Sequence, residues 1–291
     1  KNLNFKEGIA YIGETSLTDV AKNYGTPLYI YDWEHLKDNI DAFTEAFGKD
    51  ALFRYAAKAF ISKALVKELD EKGWGIDVVS GGEMATVQET VGTLENTVFN
   101  GTFKRTDEIE YFIQNNGGHI SIDNRYEIEM LEKTASSLKK KQPVIMRINL
   151  DVGAETHPMV LTSGYDQQFG ISISFAEEAL NQIASSKSLL FSGIHVHIGS
   201  QIKDPERYKL AMSSCSEFMN SNLEKVEGEA VFNAGGGFFS PYAGEEVDHE
   251  LSVYSKAIHD GIKEHWEEGY KIMIEPGRAL VNNPGVILYT A

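Results

Sequence analysis

Eight β-branched and apolar runs recur along this chain, with amphipathic stretches between most of them, and that alternation constrains the fold more than any single motif. The runs are LFRYAAK (52–58), GIDVVS (75–80), TVFNG (97–101), HISID (119–123), PVIMRIN (143–149), LFSGIHVHIG (190–199), AVFNAGG (230–236) and KIMIEPG (271–277). The intervening stretches, among them ISKALVKELDEKG, RTDEIEYFIQNNG and FAEEALNQIASSK, place apolar residues at three- and four-residue steps, the period of a helix packed on one face. Strand then helix, eight times in succession, predicts a (β/α)8 TIM-type barrel; an open doubly wound sheet is the alternative, because alternation alone does not require closure.

Residues 1–32 fall outside that count. NFKEGIAYIG and TPLYIYD read as strands with a short helix, SLTDVAKNYG, between them, so 1–32 are expected to belong to a second β-domain and 33–291 to the barrel. The final VILYTA is another strand-like run. A net charge of −16 argues against nucleic acid, whose phosphates require clustered Lys and Arg. The basic run at 139–141 reads as a solvated helix end. No apolar stretch approaches the length of a membrane span. The single cysteine, Cys215, excludes an intramolecular disulfide and reads as a small core residue. The start lacks the layout of a secretion signal, and a cytoplasmic enzyme is expected.

In a barrel, chemistry gathers where strands end. Those ends carry Lys58, Asp77 with Ser80, Asn100, Asp123, Arg147, His197 with Ser200, Gly235 to Gly237, and Glu275 with Arg278. A lysine at the mouth of an apolar strand is expected to be partly desolvated, presenting a nucleophilic amine for a Schiff base. Three glycines leaving a strand in FNAGGGF let backbone N–H groups converge on a phosphate, although the run is neither a dinucleotide nor a nucleotide-hydrolysis fingerprint. In IEPGR, Glu275 could hold a ring N–H, and Arg278 suits a bidentate grip on a carboxylate or phosphate. His195 and His197 alternate in HVHIGSQ and would share one strand face. With His157 on a predicted loop and no third ligand at suitable spacing, no metal is expected. His197 suits stacking on a flat cofactor, and His195 reads as a hydrogen-bonded interior residue. A Schiff-base lysine, a phosphate cradle, a carboxylate for a ring nitrogen and a stacking surface together are what pyridoxal 5′-phosphate requires.

YAAKA around Lys58, GIDVVSGGE (75–83), HVHIGSQ (195–201), AGGGF (234–238) and EPGRA (275–279) resemble, in order and spacing, the barrel-type pyridoxal phosphate decarboxylases. The chain is most similar to the branch acting on meso-diaminopimelate, whose THP…FGIS segment matches 156–172. The resemblance implies a carboxy-lyase in which Lys58 binds the cofactor, His197 stacks on it, and Glu275 keeps its ring nitrogen protonated. Ser200, Gly236, Gly237, Pro276, Gly277 and Arg278 would surround the phosphate, Arg278 would also meet a substrate carboxylate, and Asp77 would orient Lys58. It further implies a homodimer when full length. Family members continue beyond EPGR into a β-domain that completes the partner subunit's site, so this chain is expected to be a C-terminally truncated form with an incomplete site. Two alternatives stay open: a related barrel enzyme acting on another basic amino acid, and a barrel that binds the cofactor without turnover. A racemase of this fold places an arginine at the ring nitrogen, which Glu275 disfavours.

Overall fold

The structure, a computed structural model, describes residues 3–150, 169–242, 245–247 and 249–291. The chain opens with a small antiparallel sheet of β1 (Leu3–Lys6), β2 (Ile9–Ile12) and β3 (Thr15–Ser16). Helix α1 (Leu17–Tyr24), strand β4 (Leu28–Tyr31) and helix α2 (Trp33–Phe47) then lead to the first barrel strand, β5 (Leu52–Ala56). Helix and strand alternate from there: α3 (Lys63–Glu71), β6 (Gly75–Val78), α4 (Gly81–Val91), β7 (Thr97–Phe99), α5 (Thr106–Gln114), β8 (His119–Ile122), α6 (Arg125–Ser137) and β9 (Gln142–Asn149). A two-residue strand β10 (Ile171–Ser172) pairs with the end of β9 and precedes α7 (Ile173–Ser185). The circuit continues through β11 (Leu189–His195), α8 (Glu206–Asn220), β12 (Ala230–Asn233), α9 (Leu251–Lys263) and β13 (Tyr270–Ile274).

Closure distinguishes a barrel from an open sheet, and it is present. Strands β5 to β9 and β11 to β13 pair in parallel in chain order, and β13 returns to β5 through Met273↔Leu52 and Ile274↔Phe53. All eight expected strands are members. Beyond β13, α10 (Arg278–Val281) leads to β14 (Gly285–Leu288), which leaves the barrel and pairs antiparallel with β4. This two-stranded sheet therefore draws on both ends of the chain, while β1 to β3 form a sheet of their own.

Inside the barrel, period-two alternation stacks side chains in layers. Val98, Ile145 and Val231 from alternate strands pack with Met273 and Leu52 as an apolar plug. Two residues further along the same strands come Asn100, Arg147, Asn233 and Glu275. The plug is thus the floor on which a polar layer stands, at the strands' C-terminal ends. The helices start where that layer ends, with Ser62, Ser80 and Asn124 each accepting a backbone N–H of the first turn. Ser80, singled out above as a strand-end residue, is therefore a helix cap. Cys215 is fully buried on α8, and burial pushes its thiol up to about 12. Among the described residues, no helix is long and apolar enough to cross a membrane.

The loops after β7 and β8 are locked by a buried ion pair. Lys104 Nζ donates to Glu127 Oε2 at 3.0 Å and to the Gly101 carbonyl at 2.7 Å, and Glu127 Oε2 also accepts the Asp123 N–H at 2.9 Å. Their side chains are 0% and 4% exposed. Removing one member leaves an uncompensated buried charge, so Glu127→Ala is expected to lower the unfolding free energy by roughly 3–5 kcal/mol in a urea titration. A loss under about 1 kcal/mol would mean the lysine neutralises or finds water instead.

Candidate active site

The polar layer converges on Glu275. Its carboxylate stands directly after β13, 5% exposed, and Oε1 accepts Asn100 Nδ2 at 2.8 Å and Asn233 Nδ2 at 2.7 Å. On the other side, His195 Nε2 stands 3.3 Å from Oε2, an ion-pair distance without hydrogen-bond alignment. Burial works to raise the Glu275 pKa, but His195 and the two carboxamides more than offset it and hold the carboxyl well below the usual range. Burial pulls the His195 pKa down, with Glu275 opposing, and its Nδ1 lies 2.9 Å from Ser121 Oγ. We assign a proton to Nε2, facing the carboxylate.

Asp77, at the end of β6, sits on the far side of the same carboxamide: Asn100 Nδ2 donates to its Oδ1 at 2.8 Å. Burial, then the charge of Glu275, pushes Asp77 up to about 8, with Lys58 and Asn100 opposing. At neutral pH this buried pair carries one negative charge, on Glu275. The unfolded carboxyl ionises at about pH 4 while the folded one keeps its proton. The stability Asp77 contributes is complete below that lower value and is lost as pH climbs to about 8. Asp77→Asn, which mimics the protonated form, is therefore expected to lose less stability than wild type between pH 5 and pH 8 in urea midpoints. Parallel losses in both proteins would show that Asp77 is ionised when folded.

Lys58 corrects an expectation. Strand β5 stops at Ala56, whose N–H donates to the Pro276 carbonyl at 3.0 Å, and a 3-10 turn over Ala57–Ala59 lifts Lys58 off the strand. Its side chain is exposed rather than desolvated, and among the described residues it has no hydrogen bond or ion pair. Asp77 acts on Lys58 only through its charge; its hydrogen bond runs to Asn100. His197 likewise lies beyond the strand, since β11 ends at His195, so the two histidines do not share a strand face. His197 is half-buried, and its Nδ1 accepts the Gly236 N–H at 3.3 Å. Burial, then the charge of Lys58, pulls it down to about 3, leaving a neutral, flat ring beside the lysine.

These groups border two adjoining cavities. The larger, about 630 Å³, is lined by Lys58, Asn100, Arg147, His195, His197 and Glu275, with Phe103 and Phe169 at its edge. The smaller, about 240 Å³, is lined by Ser200, Gly236, Gly237, Gly277 and Arg278 and shares Lys58, His197 and Glu275. The glycines there are required by close backbone. A Cβ on Gly236 would stand 2.2 Å from the Glu275 carbonyl, and one on Gly237 (φ +94°) 2.1 Å from the Gly199 carbonyl. A small cavity walled by bare backbone, Ser200 and a guanidinium fits a phosphate, and the larger one fits a planar ring between His197 and Glu275. Arg278 is exposed and tethered, donating to the Tyr242 hydroxyl at 2.9 Å. His157 and residues 156–168 of the THP…FGIS segment lie outside the described residues. Among those described, no group of three His, Cys, Asp or Glu is gathered to hold a metal.

The sequence model of the pyridoxal-dependent decarboxylase, pyridoxal binding domain, matches residues 33–282. The chain belongs to the pyridoxal-dependent decarboxylases. Among curated members, diaminopimelate decarboxylase of Zymomonas mobilis is 35% identical over 292 residues, and that of Aquifex aeolicus is 32% identical over 289. Each alignment takes in 98% of this chain and 68% or 67% of the relative, so the chain spans about two thirds of their length. The crystal structure of diaminopimelate decarboxylase from M. jannaschii in complex with L-lysine superposes with a TM-score of 0.89 at 29% identity, over 98% of this chain and 68% of that one.

The strand ends of this decarboxylase do not by themselves disclose how the site is braced: they put Asn100 and Arg147 at the rim without roles and give Asn233 no mark. Arg147 enters the larger cavity, paired with Asp123 at 3.2 Å and lying over the Phe169 ring. A signal for the asparagines was available: Val-Phe-Asn occurs twice, at 98–100 and 231–233, each time just before a glycine-containing strand exit. In both copies the valine joins the barrel plug, the phenylalanine is fully buried outside it, and the asparagine reaches Glu275.

Proposed function

We propose that this chain carries the decarboxylation of meso-2,6-diaminopimelate to L-lysine and CO2, with pyridoxal 5′-phosphate as cofactor. The observation that carries the reading is an ionised, buried Glu275 facing an exposed Lys58, unpaired among the described residues, across two cavities sized for a ring and a phosphate. The names of its relatives supply the substrate. When bound, the cofactor supplies the electron sink that accepts the electron pair of the breaking carbon–carboxylate bond.

The chain's own residues do the rest. Lys58 would hold the cofactor covalently, yield it to the substrate amine, and then return a proton to the carbon that has lost CO2. Glu275 would keep a proton on the ring nitrogen, which is what makes the sink effective. His197 offers a neutral face to the ring. Ser200, Gly236, Gly237, Pro276, Gly277 and Arg278 would enclose the phosphate, with Arg278 also near a substrate carboxylate. Asp77 supports Glu275 through Asn100. Residues 1–32 are assigned to the outer β-layer, and a cytoplasmic homodimer is the assembly the resemblance supports.

The test is to add pyridoxal phosphate and meso-diaminopimelate to the purified full-length protein, measure L-lysine, and map the borohydride-reduced cofactor adduct. A pyridoxyl group on Lys58 with lysine formation, and no consumption of ornithine or arginine, is the expected result. An adduct without lysine formation would leave a cofactor-binding barrel and overturn the assigned activity; an adduct elsewhere would overturn the site.

A further inference from the structure

We infer that Asn100 is a positioning residue of the cofactor site, tying Asp77 to Glu275 and leaving Glu275 Oε2 as the acceptor for the cofactor's ring nitrogen. The inference rests on the pyridoxal reading and adds a residue to it. Asn100 Nδ2 has two hydrogens, and both are spent on carboxyl groups: Asp77 Oδ1 and Glu275 Oε1, each at 2.8 Å. Asn233 Nδ2 gives a second hydrogen to the same Oε1 at 2.7 Å. A carboxylate oxygen has two favourable lone-pair directions, so Oε1 is saturated. Oε2 has His195 nearby but, among the described residues, no aligned donor, and it belongs to a side chain that lines the larger cavity.

The orientation of the carboxamide is fixed by these bonds and not by its own comfort. Among the described residues Asn100 Oδ1 is buried without a partner, so the group holds its nitrogen between two carboxyls although its oxygen goes unsatisfied. Its backbone is held too, by a hydrogen bond from its N–H to the Val78 carbonyl at 2.9 Å and by Lys104 on the next carbonyl at 2.7 Å. The groups acting on the pair are Lys58 and Glu83 from the Asp77 side, and His195 and Arg54 from the Glu275 side. Arg147 and His197 complete the cavity wall. A change at Asn100 alone leaves all of them in place.

The experiment loads wild type, Asn100→Asp and Asn100→Ser with pyridoxal phosphate and records two readouts: the pH midpoint of the bound cofactor's near-visible absorbance, and the cofactor dissociation constant. Asn100→Asp adds negative charge beside Glu275, and Asn100→Ser takes away one of its compensating donors. Both should raise the midpoint, the first by about one unit and the second by less, with the dissociation constant rising about tenfold. Either variant alone suffices if the other does not fold, as judged by circular dichroism. A folded variant with the wild-type midpoint and affinity overturns the role of Asn100 while leaving the cofactor reading intact. A folded wild-type protein that gives no cofactor absorbance and no adduct on Lys58 overturns both.

Discussion

Lys58→Ala should abolish lysine formation while leaving the fold untouched. The activity loss is expected to reach at least about a thousandfold, because the substitution removes both the nucleophile that holds the cofactor and the group that returns the proton. The stability change should stay within about 0.5 kcal/mol, since Lys58 is exposed on a short turn and has no hydrogen bond or ion pair among the described residues. That separation is the informative part. Most polar groups around the cavity are braced, so replacing them mixes lost chemistry with lost structure; Lys58 does not. Lys58→Arg keeps the positive charge but offers no nucleophilic amine, and it should be as inactive as the alanine variant. A Lys58→Arg enzyme retaining more than about a tenth of wild-type turnover would mean that the position contributes charge alone, and the site would have to be rebuilt around another amine.

Why Lys58 stands exposed was not legible in the sequence, although its importance was. The alternation of runs identified all eight strands because each is either apolar throughout or alternates at period two, signals that belong to the segment itself. Where a strand stops is a different matter. Strand β5 ends at Ala56, its N–H still on the Pro276 carbonyl 220 positions away, and the chain then turns into the 3-10 segment that carries Lys58. Nothing in FRYAAKAF encodes that partner, so the lysine read as the desolvated end of a strand. The same reason separates His195 from His197: HVHIG alternates well enough to be one strand, yet β11 ends at the first histidine and the second belongs to the loop. The glycines were readable because their requirement is local in kind, a close approach that only hydrogen permits. The bracing of Glu275 joins three strands, so the repeated Val-Phe-Asn marks its asparagines without naming their partner until the barrel closes.

Glu275→Gln tests the other pole of the site and should be nearly as damaging, at roughly a hundred- to ten-thousandfold loss of lysine formation with the fold retained. Glutamine has the same shape, so the effect turns on where its amide must point. Asn100 and Asn233 present two N–H donors to one oxygen, at 2.8 and 2.7 Å. The glutamine can satisfy them only by turning its carbonyl toward them, which places its NH2 where Oε2 stood, 3.3 Å from His195 Nε2 and facing the cavity. An acceptor for the ring N–H has then become a donor, and the negative charge that kept the ring protonated is gone. Cofactor should still bind through Lys58 and the glycine-lined pocket, so the loss belongs in kcat and in the cofactor's absorbance, with the pyridoxyl adduct preserved. Glu275→Asp keeps the charge but draws it back by a methylene from the two carboxamides, and it should recover part of the activity. If Gln and Asp are equally inactive, reach is what the site cannot spare; if Gln works and Asp does not, the ring nitrogen needs no anionic partner and the role given to Glu275 is wrong.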